Sequence, residues 1–174
     1  MAFEHGNHAL DGPFLAEFDQ EIATTRRLKE RVPAKGAGWK PHPKSYALGD
    51  LAIHLATLPS WVAPTMELPE LDFAGVPPPA SFTTVEALLT YFDANARAGR
   101  AALAKAADAD FAVPWTLKNA GAAIFTLPRA IVLRSFVLSH LIHHRAQLGV
   151  YLRLRDVPLP PSYGPTADTE AQSA

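Results

Sequence analysis

The sequence predicts an all-α domain built from four long helices. Four segments carry apolar residues at helical spacing, proline-rich stretches separate them, and mild β character occurs before the last segment. The chain has 174 residues, enough for one domain with a sizeable hydrophobic core. We therefore expect a single domain over residues 1–174, with flexible ends at residues 1–12 and 165–174.

Composition excludes several classes of protein. The formal net charge of −1 gives no basic excess for binding nucleic acid. Because the chain has no cysteine, any metal ligands must be histidine, carboxylate, backbone or water. No stretch reaches the ~18 consecutive apolar residues of a membrane helix, and the N-terminus lacks the regions of a signal peptide. We expect a cytoplasmic protein with neither nucleic acid nor a membrane as partner.

Capping residues and helix-breaking residues predict where the first two helices begin and end. A proline that is tolerated in the first turn opens helix one, which should span residues 13–32. Helix two should begin with Ser45 as its cap and run to residue 57, extending as far as residue 61. The proline-rich residues 64–82 indicate a long connector. The charged face of helix one is expected to be solvated: Glu17, Asp19, Glu21, Arg26, Arg27, Lys29 and Glu30.

The second half of the chain has three further elements. A capping box at residues 83–86 predicts helix three, which should end near Ala107. Segments 110–117 and 123–126 are expected to form a short hairpin around a turn between them. The long fourth helix should run from Pro128 to about Asp156, followed by a proline-rich tail that cannot be helical.

Two histidines lie on the apolar stripe of helix four. His140 and His144 are one turn apart, roughly 5–6 Å at Cβ, which is close enough for two imidazoles to share one metal ion. An unsatisfied buried imidazole costs about 1–3 kcal/mol, so the pair needs hydrogen-bond partners or a ligand. His143 makes a second pairing with His140 possible, but it points away from the stripe. On this stretch alone, core histidines and a metal-binding pair both remain open.

Helix two supplies a third inward histidine, His54, within the stripe of Leu51 and Leu55. Three histidines from two helices give a neutral, nitrogen-rich site with open positions for water or substrate. Leu141 follows His140 where H-E-x-x-H peptidases carry a glutamate base, so that mechanism is not expected. Asp50 is a candidate base one turn before His54, although we favour a helix-surface position. No catalytic residue is assigned.

These motifs resemble the DinB/YfiT-like superfamily of metalloenzymes. The resemblance rests on a Trp-Lys-Pro loop at residues 39–41 and on the setting of His54 within residues 49–56. It also rests on the H-x-x-x-H motif with its trailing His-Arg-x-Gln, residues 140–148, and on the closing segment at residues 157–164. It covers nearly the whole chain.

The resemblance implies a four-helix bundle, often a homodimer, and a divalent metal ion held by His54, His140 and His144. Zinc and nickel are the expected metals. Hydrolysis and transfer to a low-molecular-weight thiol both fit such a site, with an unnamed small molecule as substrate. The alternatives are a non-catalytic bundle in which the metal is structural or binds a ligand, and histidines without metal.

Further residues have two interpretations each. Arg145 and Gln147 either satisfy neighbouring carbonyls or an interface, or orient a ligand histidine through a hydrogen bond. Tyr46, Trp61 and Tyr151 are candidates for a pocket wall, although aromatic residues on helices are more often plain core.

Overall fold

The computed structural model describes residues 11–78 and 81–170, and this part of the chain is mostly helical with a small three-stranded sheet. The helices are α1 (Asp11–Lys29), α2 (Leu48–Thr57), α3 (Val62–Glu67), α4 (Val85–Lys105), α5 (Asp108–Ala112), α6 (Arg129–Ile131), α7 (His140–Arg153) and α8 (Ala167–Glu170). The strands are β1 (Glu70–Asp72), β2 (Pro114–Asn119) and β3 (Ala122–Pro128). Two 3₁₀ turns, Leu58–Trp61 and Phe73–Gly75, and a π-helical segment, Val132–Ser139, complete the described elements. Of the ends expected to be flexible, residues 1–10 and 171–174 lie outside the described residues.

The long helices enclose two main core clusters. α4 packs against α1, α2 and α3, and α7 packs against α1 and α2. Fully buried apolar side chains from α2, α4 and α7, such as Leu55, Phe92 and Leu148, form one cluster, and each contributes roughly 1.5–3 kcal/mol through burial. Phe18, Phe111 and their neighbours form the second cluster nearer the sheet. No helix in the described ranges combines the length and apolar character needed to cross a membrane.

Several predicted helix boundaries are wrong. α1 ends at Lys29, and α2 begins with Ala47 at its N-cap position, so Ser45 does not cap it. The predicted connector is helical as far as Glu67, because Pro64 lies in the first turn of α3, where its missing N–H is not needed. The predicted start of α4 is correct to within one residue, but its capping box is not formed. The N-cap is Thr84, whose Oγ1 accepts the Ala87 N–H at 3.1 Å, and Ala87 has no polar side chain to complete the box.

The predicted hairpin is present as β2 and β3, so the fold is not purely α-helical. Its turn has positive φ at Ala120 (49°) and Gly121 (81°), as a tight two-residue hairpin turn requires. The first part of the predicted strand is instead the short helix α5. β1 was not predicted, because three residues in a proline-rich stretch are too few for a periodic pattern. It pairs in parallel with β2, with Leu71 opposite Leu117.

The long last helix is present but is not regular. Its π-helical segment has wider turns than an α-helix and therefore shifts the side-chain register ahead of α7. Leu133, Val137 and Leu138 are all buried there, although a regular helix places only the first two on the predicted apolar stripe. Turns of this kind often occur at functional sites, and this one ends directly before His140.

The charged face predicted for α1 is wrong at two positions. Glu21 and Lys29 are buried, with exposures of 4% and 0%. Both find partners on other helices: Glu21 pairs with Arg145, and Lys29 Nζ donates to the Ala52 carbonyl at 2.7 Å. A charged residue can therefore face inward where another element supplies a partner.

Candidate metal centre

Three imidazoles from two helices meet at the edge of the core. His54 lies on α2, and His140 and His144 lie in the first two turns of α7. The Nε2 atoms of His54 and His140 are 3.1 Å apart. One ring nitrogen from each of the three residues lies within 4.8 Å of the others, so the group could hold a metal ion.

The nitrogen spacing suits a shared cation. With zinc–nitrogen bonds of about 2.0–2.1 Å, two ligand nitrogens lie about 2.9 Å apart at a right angle and about 3.4 Å apart at a tetrahedral angle. The 3.1 Å between His54 and His140 falls inside that interval. Histidine nitrogens alone form this group among the described residues, and imidazole is a preferred ligand of zinc and nickel.

Hydrogen bonds orient two of the rings through their other nitrogen. His144 Nδ1 donates to Gln147 Oε1 at 2.7 Å. His140 Nδ1 donates to the Phe136 carbonyl at 3.3 Å, a group of the π-helical segment. Donation from Nδ1 selects the neutral tautomer whose Nε2 lone pair is free. Both rings therefore present an acceptor atom toward the centre of the group.

Burial keeps the three imidazoles neutral. It lowers the pKa of His54 to about 4, and the neighbouring rings of His144 and His140 add to this effect. Burial is also the main cause that lowers the pKa of His140 and of His144, where the hydrogen bond to Gln147 opposes it. At neutral pH the lone pairs are consequently available to a cation without loss of a proton.

Aromatic side chains surround the histidines. Tyr46, which is half exposed, stacks on His54 with ring centroids 5.8 Å apart and planes 14° apart. His54 and Trp61 both line a cavity of about 260 Å³. Tyr151 instead lies in the core with its ring edge-on to Trp39, 5.7 Å away. Of the three aromatic candidates, Trp61 is a cavity wall, Tyr46 covers the histidines and Tyr151 is core.

The other candidate residues from the sequence, His143, Asp50 and Arg145, differ in their exposure and in their partners. His143 is exposed, with its ring 4.9 Å from that of His144. Asp50 is exposed in the first turn of α2. Arg145 is buried and forms an ion pair with Glu21, with Nη1 and Oε2 2.6 Å apart. Sequence analysis missed this partner, although an arginine on the inner side of a helix is itself a sign that a buried carboxylate lies opposite.

Known proteins agree with this architecture. The model of the DinB superfamily matches residues 17–148. A DinB-like protein from Bacillus subtilis is similar in structure, with a TM-score of 0.67 and 18% identity, covering 87% of this chain and 97% of that chain. A DinB-like protein from Bacillus cereus gives a TM-score of 0.66 and 20% identity, covering 89% of this chain and 98% of that chain. No curated protein matches significantly.

At these identities the two solved structures establish a common fold and nothing finer. The family model extends from α1 to α7 and includes all three histidines of the group. The chain therefore belongs to the DinB superfamily.

Proposed function

We propose that this protein is a divalent-metal-dependent enzyme whose metal ligands are His54, His140 and His144. The observation that carries the proposal is the convergence of three neutral imidazoles, with two of their Nε2 atoms 3.1 Å apart. Zinc and nickel fit this donor set. Three protein ligands leave coordination positions for water or substrate, as catalytic sites require.

Two reaction classes are proposed, and the chemistry available to a three-histidine site supports both. A divalent cation would supply Lewis-acid polarisation of a carbonyl and a lower pKa for a coordinated water or thiol, which serves hydrolysis and thiol S-transfer alike. Gln147 and the Phe136 carbonyl hold the rings of His144 and His140 in position. The substrate would be a small molecule, with a low-molecular-weight thiol as one reactant in the transferase case.

The alternative is a metal that only stabilises the fold. Two observations favour it: Asp50 is exposed, and Leu141 occupies the position of the peptidase base. The cavity beside His54 favours the enzyme, because it gives a substrate access to the site. A metal with a water ligand reached from this cavity would support catalysis, and a fourth protein ligand would support a structural role.

Metal stoichiometry tests the ligand set. We expect about one divalent ion per untagged chain by elemental analysis, and a sharp loss in His54→Ala with helical circular dichroism retained. His143→Ala is the matched control on α7, and it should keep its metal because this side chain is exposed. Unchanged stoichiometry in His54→Ala would remove His54 from the set, and a large loss in His143→Ala would mean that α7 uses a different pair.

We further propose the quaternary and cellular setting that the superfamily implies. The four long helical stretches would form a four-helix bundle, and two chains would associate in the cytoplasm. Light scattering on the full-length protein should give twice the mass of one chain, whereas a monomer mass at micromolar concentration would contradict the dimer.

A further inference from the structure

The cavity of about 260 Å³ adjoins the proposed metal centre through His54, which forms part of its wall. Aromatic rings continue that wall away from the histidines. Trp61 and Phe73 are nearly parallel, with ring centroids 5.8 Å apart and planes 21° apart. Phe136 packs edge-on against both Trp61, at 5.2 Å, and His140, at 5.9 Å. Of the three histidines, His54 borders the cavity directly, and Phe136 lies behind the wall between Trp61 and His140.

The lining carries no formal charge. Among the described residues around this cavity, none has a carboxylate, ammonium or guanidinium group, and the polar side chains besides His54 are Thr57 and Ser60. Thr57 already donates its hydroxyl to the Ile53 carbonyl at 3.1 Å, within its own helix. A charged ligand group placed here would lose its hydration without gaining a counter-charge, which strongly disfavours it.

The outer wall is held in place by the sheet. The Asp72 carboxylate accepts N–H groups from Ala74, Ala120 and Gly121 at 3.0, 2.9 and 2.7 Å, which ties the end of β1 to the hairpin turn. Phe73 follows directly and is 52% exposed. Phe73 therefore presents a half-exposed ring in the cavity wall, where it is available for stacking.

We propose that this cavity receives an uncharged, apolar group of the substrate, the size of one aromatic ring, while the reacting polar group lies at the three histidines. An apolar cavity of about 150 Å³ accommodates benzene, so 260 Å³ holds one ring with a short linker. Trp61 and Phe73 offer ring faces and edges for stacking. This assignment of the substrate class rests on the proposed function.

Hydroxamates can test whether the cavity binds an apolar ring. All of them chelate zinc through the same hydroxamate group, and they differ only in the substituent attached to it. With the zinc-loaded full-length protein, calorimetry should give benzohydroxamate about tenfold or more tighter binding than acetohydroxamate. 4-Carboxybenzohydroxamate should bind no more tightly than acetohydroxamate, because the cavity offers no counter-charge to its carboxylate. Phe73→Ala should reduce the benzo/aceto ratio to about threefold or less. Ile124→Ala removes an equally exposed apolar side chain on β3 and should leave the ratio unchanged.

A second measurement does not depend on the metal. Crystals of the full-length protein soaked in 4-bromobenzamide should show anomalous bromine density between Trp61 and the segment that follows β1. Equal affinity for the two simple hydroxamates, or bromine bound elsewhere, overturns the assignment while leaving the metal site intact. If neither hydroxamate binds but bromine occupies the cavity, the proposed metal chemistry fails and the apolar ligand class stands.

Discussion

His144 and Arg145 are buried neighbours on α7, yet they belong to two polar clusters of opposite character. His144 joins two other imidazoles, and one ring nitrogen from each of the three residues lies within 4.8 Å of the others. Arg145 joins Glu21 and Tyr163 in a cluster where each group already has its partner. The two clusters differ in whether their polar groups already have hydrogen-bond or ion-pair partners. A cluster with all its groups paired has no ligand atoms left for a cation.

The Arg145 cluster is complete in both charge and hydrogen bonds. Nη1 of Arg145 lies 2.6 Å from Glu21 Oε2 and also donates to the Thr25 hydroxyl at 3.3 Å. Nη2 donates to the Tyr163 hydroxyl at 2.5 Å, and that hydroxyl donates to the Glu21 carboxylate at 2.9 Å. The cluster therefore joins α1, α7 and the C-terminal segment, and its donors and acceptors are matched.

The larger cavity lies beside the cluster that is already complete. A cavity of about 570 Å³ lies beside Arg145 and Tyr163, larger than the 260 Å³ beside His54. The volume of a cavity measures empty space and not the chemistry of its walls. Binding of a cation needs ligand atoms with available lone pairs. The ring nitrogens of the histidines face one another, with the Nε2 atoms of His54 and His140 3.1 Å apart, whereas the groups of the Arg145 cluster are already paired.

Breaking the complete cluster should have the largest effect. Arg145→Met leaves the Glu21 carboxylate buried without a counter-charge, so the free energy of unfolding should fall by about 3–5 kcal/mol in urea titrations. The double variant Glu21→Leu/Arg145→Met removes both charges and should recover most of that loss. A single-variant loss below about 1 kcal/mol would mean that the cluster is hydrated rather than buried.

Loss of a histidine from the other cluster should have little effect on stability when no metal is bound. Without metal, His54→Ala should change the free energy of unfolding by no more than about 1 kcal/mol, because the ring completes no matched set. Zinc at 100 times its dissociation constant should stabilise the wild type by about 2.7 kcal/mol and leave the variant unaffected. Thermal unfolding with and without zinc measures both, and equal stabilisation of the two proteins would contradict the contrast.

Gln147 allows a finer test of the histidine cluster. Its side chain is the hydrogen-bond partner that orients the ring of His144 toward the other two histidines. Gln147→Leu removes the acceptor and should weaken zinc affinity about 10–100-fold. Gln147→Glu keeps an acceptor oxygen at the same reach and is the matched control. Competition with a chelator of known affinity gives both values, and equal weakening in the two variants would point to packing rather than to ring orientation.

Lys29 is also a buried charged residue, and its effect should appear only as a dependence of stability on pH. It is fully buried, its Nζ lies 5.0 Å from the centre of the Phe92 ring, and the nearby Asp93 carboxylate is paired with Arg26. Burial lowers its pKa to about 7, with Asp93 opposing the shift. Because the unfolded chain binds this proton up to about pH 10.4, stability from this group rises with pH above about 7.

The variant Lys29→Met should therefore lose that dependence on pH. Between pH 7 and pH 9 the wild type should gain roughly 2 kcal/mol relative to the variant, measured by urea unfolding at both values. Lys105→Met makes the same change at an exposed lysine in the last turn of α4 and should preserve the wild-type slope. Parallel curves for wild type and Lys29→Met would show that the buried amine has an ordinary pKa.

The two clusters also differ in how far the sequence could predict them. His140 and His144 are four residues apart on one helix, and His54 lies on a regular apolar stripe, so local spacing marked them as inward-facing candidates and the resemblance to the superfamily joined them into one set. Glu21 and Lys29 were assigned to solvent, because an amphipathic pattern places charges outward by default. Their partners Arg145 and Ala52 lie 124 and 23 residues away, and no local pattern encodes such a pairing.

Helical periodicity and the turn and capping residues along this chain were thus sufficient to predict a mostly helical chain and the hairpin, and to pick out the three histidines that the structure brings together, because each of these signals depends on residues close in sequence. The strand β1, the π-helical register before His140 and the cavity wall at Phe73 depend on contacts between distant segments. A three-residue strand exists only because β2 pairs with it, and a wider helical turn is invisible to a pattern that assumes constant pitch. Long-range packing therefore determined what surrounds the histidines, and with it what they can bind.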